Sequence, residues 1–408
     1  MQTSFDNSLS ELIQAAPSCS GLAVALSGGV DSMVLLQLAQ EYAKRANLPL
    51  CAVHVHHGLS PNADAWLAFA QQQCAQRNVT FYSRKVTLSS ATRKGIEAKA
   101  RDARYRAIDE LTPKGYAILL GQHQDDQVET FFLRLKRGAG VKGLGAMQAL
   151  SVWHQRVLLR PLLAFTRQHV ERFASQHGVE HIHDESNDDN QYDRNFLRND
   201  VLPLLNTRFQ SFNQKVAQTA KLLQTQQQLL DDVAHSDLQL AHESAQKVNA
   251  QALLSLGTAR CINALRYWFE QQSLQMPAQA QLEQFVAQLI KARSDTQPEL
   301  ILKSHRGLRQ AIKRYHESLY LVEQTQPPQP QTISHKQGDS HLSDGRTLRA
   351  CAGDGIREPL LGEIVSVQFA QLSVRIRPSN KPYSNKLSHW LKELKVPPWE
   401  RQRIPLIF

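Results

Sequence analysis

Roughly the first 165 residues alternate short apolar runs with longer stretches whose apolar positions recur at helical spacing. Leu22–Leu26, Leu50–Val55, Thr80–Val86, Tyr116–Leu120 and Val157–Leu159 are compact and largely apolar, the pattern of strands buried on both faces. Between them Ser32–Arg45, Ala63–Arg77, Ile96–Leu111 and Asp125–Lys136 read as amphipathic helices. Strand–helix alternation predicts an α/β fold with a doubly wound parallel sheet, whose ligands bind beyond the carboxyl ends of the strands.

After Pro203 the texture changes. Residues 210–290 are rich in Gln, Ala and Leu and predict long helices, followed by short strands at Glu299–Lys303 and Ser318–Val322. "EQTQPPQPQTISHKQGDS" is polar with three prolines and reads as a linker, and a small basic segment closes the chain. The domains expected are 1–207, a mostly helical 208–325, a linker at 326–341 and a small α+β domain at 342–408.

Forty-seven basic residues against 37 acidic ones give a net charge of +10, which favours a polyanionic partner such as nucleic acid. No apolar stretch is long enough to span a membrane, and "MQTSFDNSLSELIQ" lacks the basic and apolar regions of an export signal. The five cysteines (Cys19, Cys51, Cys74, Cys261 and Cys351) form no C-x-x-C pair and suit a reducing cytoplasm. No obligatory protein partner is evident.

In "LAVALSGGVDSMVLL", residues 22–36, two glycines, an acid and two hydroxyls separate a strand from a helix. Gly28 and Gly29 let successive N–H groups point into one concavity, the helix N-terminus adds positive potential, and Ser27 and Ser32 add hydroxyls. A turn with a helix cap is the plainer alternative. Asp31 would be unfavourable in an anion site unless it held a metal ion, with Mg²⁺ bridging phosphates the usual resolution. The lysine of a G-x-x-x-x-G-K-[ST] loop is missing.

"SGGVDS" after an apolar strand resembles the PP-loop of N-type ATP pyrophosphatases, which transfer AMP from ATP to an oxygen and release pyrophosphate. Four further stretches resemble the tRNA(Ile)-lysidine synthetases within that superfamily. "HVHHGLS", residues 54–60, matches a family segment in which Asp commonly stands where His56 is. Zinc binding by its histidines is disfavoured, because His56 and His57 point to different sides of an extended chain. "GIEAKARDARYRAI", residues 95–108, places Glu97, Arg101 and Arg104 on one helical face. That face is either a solvated salt-bridged surface or, as the resemblance implies, a source of an arginine (Arg101 or Arg104) for the phosphates.

"GQHQDDQVETFFLRLKRGAGVKGLGAM", residues 121–147, sets Asp126 and Glu129 on one helical face near the helix N-terminus. Such carboxylates capture an ammonium group, hold Mg²⁺ or accept a proton; the resemblance implies that they engage lysine. "GAGVKG" within it matches G-x-G-x-x-G but follows a helix-like run instead of a strand, so dinucleotide binding is rejected and a basic closing loop is expected, with Arg137 and Lys142 contacting RNA. "RPLLAFTRQHV" with "HDESNDDNQYDRNFLRNDVLPLL", residues 160–205, matches a family-particular pattern in Asp184, Ser186, Asn187, Asp188, Tyr192, Arg194, Asn195 and Arg198. Arg194, Asn195 and Arg198 are expected to face RNA; a capped turn is the alternative. In the tail, "LSHWLKELKVPPWERQRIPLIF" surrounds Trp390 and Trp399 with Lys392, Lys395, Arg401 and Arg403, fit either for stacking bases and holding phosphates or for a core under a basic rim. The family pattern continues past "PLIF", so a trimmed C-terminus is expected.

The resemblance thus implies conversion of the wobble cytidine of a CAU-anticodon isoleucine tRNA to lysidine, with ATP and L-lysine as co-substrates and Mg²⁺ at Asp31. Ser27, Gly28, Gly29, Val30, Asp31, Ser32, His54 and His123 are expected at ATP. Asp31, Arg101, Arg104, Asp126 and Glu129 are expected to be catalytic, with Asp126 and Glu129 at lysine. Arg137, Lys142, Arg194, Asn195, Arg198, Lys392, Arg401 and Arg403 are expected at tRNA. Which of Glu97, Asp126 and Glu129 meets metal and which meets lysine stays open. Two rivals remain at this stage, a tRNA thiolase, which would need a cysteine pair at its site, and a non-catalytic RNA-binding module.

Overall fold

Six strands run in the order β3-β2-β1-β4-β6-β5: β1 Gly21–Ala25, β2 Leu50–His56, β3 Thr80–Lys85, β4 Tyr116–Leu119, β5 Leu150–Trp153 and β6 Arg156–Leu159. The structure, a computed structural model, describes residues 1–16, 18–56, 58, 60–86, 103–153, 155–291, 298–304, 307–324, 328–333, 338–351, 360, 363–379 and 381–408. All pairs in this sheet are parallel except β5 with β6, which form an antiparallel hairpin at one edge. The five strands expected from the apolar runs are present; β5 was not expected, and its half-exposed, mixed-polarity residues explain why.

Alternation along the strands sends side chains to two cores. Leu22, Val24 and Ala52 face one layer, built from α1 (Gln2–Ala15), α2 (Val30–Ala46), α3 (Ala63–Gln76) and α5 (Arg167–Gln176), where Phe5, Leu35 and Val170 are fully buried. Ala23, Cys51, Val53 and Ile118 face the other layer, against Ala107 and Ile108 in the helical residues 103–111. Helices on both faces make the sheet doubly wound. α2 stops at Asn47, whose φ of 51° is the left-handed cap that Asn tolerates.

β1 connects outward to β2 on one side, while β4 lies on its other side, so the order reverses between β1 and β4. The loop after β1 leads into α2, and the loop after β4 leads into α4 (Gln124–Lys136). This switch point is where an open α/β sheet receives its ligand.

The chain forms two compact units, residues 1–229 and 230–408. The 30-residue helix α6 (Phe212–Ala241) begins in the first and ends in the second. The second unit holds helices Ala250–Ser255, Thr258–Gln271 and Gln279–Lys291 around a core that includes Trp268, Phe269 and Phe285. It also carries a five-stranded antiparallel sheet, of which the sequence suggested only Glu299–Lys303 and Ser318–Val322, the latter extending to Glu323. Its strands His242–Ser244 and Lys247–Asn249 are three residues each, too short to show a period. Near the C-terminus, a three-stranded sheet and the helix Leu387–Glu393 give an α+β pattern. The sheet takes in Gln331–Ile333, however, and Gly338–His341 pairs with Thr347–Ala350, so the polar stretch read as a linker at 326–341 contains strands too short to show a period.

Candidate active site

The loop after β1 is held by one hydroxyl. Ser32 Oγ donates to Gly29 O (2.9 Å) and accepts from the N–H groups of Ser27 (3.2 Å) and Gly28 (3.1 Å), with Ser27 Oγ 3.1 Å away. Two of the N–H groups expected to face phosphate, those of Ser27 and Gly28, are therefore occupied within the loop. The first turn of α2 keeps its own donors open. Met33 is the first residue to bond back, to Gly29 O at 3.0 Å, so Val30, Asp31 and Ser32 carry the orphan N–H groups of a helix start.

Gly28 adopts φ +93°, and its carbonyl accepts from Ile182 N–H at 3.0 Å. A Cβ at Gly28 would meet Ile182 Cδ1 at 2.6 Å. Gly28→Ala therefore combines clash with backbone strain of about 1–3 kcal/mol. We expect it to raise KM for ATP about tenfold or more; an unchanged KM would show that the loop is not part of the nucleotide site.

The loop after β4 presses on the same helix start. A Cβ on Gly121 would stand 3.2 Å from the Asp31 backbone carbonyl, closer than an ordinary van der Waals contact. This brings His123 beside Asp31. His123 caps α4 reciprocally: Asp126 N–H donates to His123 Nδ1 (3.4 Å), and His123 N–H donates to Asp126 Oδ2 (3.1 Å). With Nδ1 on the cap, Nε2 is buried without a hydrogen-bond partner, 3.6 Å from Asp31 Oδ1 and 3.5 Å from Asp126 Oδ2. Asp31 Oδ1 is likewise buried and unpartnered. Burial pushes the Asp31 carboxyl above the usual aspartate range, and Asp126 adds to that, while His123 opposes it.

Glu129, one turn along α4, is fully buried. Arg198 grips it with two bonds, Nε to Oε1 at 2.6 Å and Nη2 to Oε2 at 3.0 Å, and reaches Asp126 Oδ1 at 3.1 Å. Arg194 Nε stands 2.9 Å from Glu129 Oε2, and its Nη2 donates to Thr130 Oγ1 at 3.0 Å. Burial raises the Glu129 pKa despite these partners, and Arg198 in turn is held more firmly charged by Glu129 against its own burial. Three carboxylates (Asp31, Asp126 and Glu129) thus gather near two guanidiniums, with Arg167, Asn206 and Asn213 lining a 160 Å³ cavity beside Glu129 and Arg198.

Arg194 and Arg198, expected to face RNA, are turned inward. They lie four apart on the helical run that starts at Asp193, so one face delivers both to the buried acid, which would be strongly destabilising if left unpaired. Asn195 is buried as well, its amide donating to Asp189 O at 2.9 Å, a structural role. The sequence reading missed Arg167, whose N–H donates to Asp125 Oδ2 at 2.7 Å, and Asn213, whose amide donates to Asp125 Oδ1 at 2.9 Å. Both meet the site only through tertiary contacts; Arg167 sits in the stretch "RPLLAFTRQHV", but no spacing within it singles that residue out.

His54 is buried under the loop with its Nδ1 donating to Leu26 O at 2.8 Å, so it props the end of β1. Burial lowers its pKa from the ordinary 6.5, a shift that the Leu26 bond opposes and that His56 and Arg104 deepen. The unfolded chain takes up this proton more readily, so the contribution is complete above about pH 6.5 and is lost as pH falls toward the folded value. Wild type is expected to lose urea stability between about pH 7 and pH 5 that His54→Gln keeps; parallel losses in both would refute this. His56 is also buried, its Nε2 bonded to Asp64 Oδ1 at 2.9 Å. His57, Glu97 and Arg101 lie outside the described residues.

The glycine-bearing loop follows helix α4, as the rejection of dinucleotide binding requires. Arg134 fastens it through Gly143 O and Ala146 O, both at 2.8 Å, and Gln127 clamps Met147 through both amide atoms. Arg137 and Lys142 are exposed on it. In the second unit Lys392 is exposed. Arg401 is tied to Val396 O and Tyr315 Oη, and Arg403 lies 3.5 Å from Asp344. Trp390 is core, with its indole N–H on Ile376 O, and Trp399 packs edge-on against Tyr315 and Tyr320, so the tail aromatics are at least partly structural.

A PP-loop domain matches residues 1–205, a TilS substrate binding domain 249–320 and a TilS substrate C-terminal domain 365–408. The tRNA(Ile)-lysidine synthase of Actinobacillus pleuropneumoniae serotype 3 is 38% identical over 407 residues, covering 96% of this chain and 94% of its own. That of Pectobacterium atrosepticum is 37% identical over 410 residues, covering 99% and 91%. Among solved structures, the U34-tRNA thiolase NcsA of Methanococcus maripaludis overlaps 54% of this chain and 78% of its own, with 17% identity and a TM-score of 0.43.

Proposed function

The chain belongs to the tRNA(Ile)-lysidine synthase family, and from that premise we propose how its residues divide the work of an ATP-dependent, lysidine-forming ligase. The substrate is the isoleucine tRNA with a CAU anticodon, and L-lysine is joined to carbon 2 of its wobble cytidine. The reading is carried by the abutment of Gly121 on Asp31, which sets the nucleotide loop and the acids of α4 at one switch point.

ATP lies over the first turn of α2, its phosphates meeting the open N–H groups of residues 30–32. The buried, unpartnered Asp31 Oδ1 suits Mg²⁺, an ion that takes one or two carboxylates beside phosphate oxygens. When bound, the ion would neutralise phosphate charge. Oxygen 2 of the cytosine attacks the α-phosphorus and pyrophosphate leaves. Arg104, and Arg101 beyond the described residues, are assigned to the charge that develops. The lysine side-chain amine, with Asp126 and Glu129 holding it and taking its proton, then attacks carbon 2 and expels AMP. Four carboxylates (Asp31, Asp125, Asp126 and Glu129) against three guanidiniums (Arg167, Arg194 and Arg198) favour a cationic guest.

Residues 1–207 are the catalytic domain in this reading, and 208–325 and 342–408 grip the tRNA body. Arg137, Lys142 and Lys392 are the exposed cations assigned to its phosphates. Among the described residues no helix is long and apolar enough to cross a membrane, and we place the enzyme with its tRNA in the cytoplasm. Incubation with isoleucine tRNA and ATP should release AMP only when lysine is added; release without lysine, or dependence on a sulfur donor, would overturn the assignment.

A further inference from the structure

Tyr192 and Phe196 belong to the same segment as the inward arginines but present the opposite character. Phe196 N–H donates to Tyr192 O at 2.9 Å, so the two are one helical turn apart. They are 50% and 47% exposed, and among the described residues neither ring meets another aromatic ring. Arg194 and Arg198, which grip Glu129, each lie two residues from Phe196. Two residues is more than half a helical turn, so the rings do not share the arginines' face; they stand in solvent along the outer rim of this run, on the side away from the buried acid. Lys136 ties this run to the end of α4 through Asp193 at 2.8 Å, and the next residue, Arg137, is an exposed cation.

The reaction explains what such a rim would meet. Oxygen 2 and carbon 2 of the cytosine must both enter the site, so the base has to leave its stack. Its neighbours then lose a stacking surface. Unstacked RNA bases are received on aromatic side chains with cations at the phosphates, because every base has a π-face. We infer that Tyr192 and Phe196 form a stacking platform for the nucleobases that flank the reacting cytosine. This rests on the lysidine reading above and adds to it the surface that holds the anticodon loop open. A protein partner on this face would leave the flanking bases unsupported.

The probe is isoleucine tRNA carrying 2-aminopurine in place of the anticodon adenine beside the wobble cytosine. Full-length wild-type protein should quench its emission on binding. The double variant Tyr192→Ala/Phe196→Ala should leave it brighter and raise KM for tRNA by about 5- to 100-fold. KM for ATP and for lysine, and the melting temperature, should not move, since both rings are exposed. Tyr192→Phe/Phe196→Trp should keep the quench and the KM. Equal emission and equal KM in wild type and the alanine variant, with wild type still releasing AMP in response to lysine, would overturn the platform alone. A wild type that shows no lysine-dependent AMP release would remove the function reading and the platform together.

Discussion

Asp31→Ala is expected to abolish adenylation while leaving tRNA affinity within about twofold of wild type. A carboxylate that places a cation on transferring phosphates is worth several kcal/mol of barrier, so the rate should fall on the order of 10³-fold or more. The stability effect should run the other way or be small. Asp31 is half-buried, its Oδ1 is buried without a hydrogen-bond partner, and its pKa is raised by desolvation, so its charge is held at a cost. Single-turnover AMP transfer and filter binding on one preparation separate the two quantities. A variant that transfers AMP at near wild-type rate, or loses tRNA affinity in step with rate, would show that Asp31 does not act on the nucleotide.

Glu129→Ala is expected to lose both activity and stability. It strands Arg198 and Arg194 in a buried site, and breaking a buried pair from one side costs about 3–5 kcal/mol. For a unit of this size that is about 6–20 °C in melting temperature. The double variant Glu129→Leu/Arg198→Met should recover much of that stability, because apolar replacements of a whole buried pair are often neutral, yet stay inactive. Recovery of activity with stability would mean that the pair only holds the fold. A melting temperature unchanged in Glu129→Ala would refute the buried pairing itself.

The legible and illegible parts of this molecule divide along physical lines. β1, β2 and β4 could be read because a strand covered on both faces is a continuous apolar run, whereas β5 is an exposed-edge hairpin strand with no such signature. Asp126 and Glu129 could be read as neighbours because helix geometry fixes which residues share a face within a few positions, and Asp31 stands out as an acid in a glycine loop. The destination of Arg198 could not: its partner is 69 residues away, and a basic residue looks the same in sequence whether it meets a buried acid or a phosphate. His54 shows the same limit, since a strand-end histidine bonded to a neighbouring carbonyl leaves no trace in spacing. The tail tryptophans, evenly balanced between core and base stacking in sequence, fall differently, Trp390 being buried and Trp399 only half so.

Ser32 has a consequence for the catalytic cycle. Its hydroxyl gathers Ser27, Gly28 and Gly29 into shape through short-range bonds made entirely within the chain. The conformational entropy of that glycine-rich turn is therefore lost once, when the chain folds, and not again with each ATP. A loop ordered by its own serine keeps its shape between turnovers without help from the substrate.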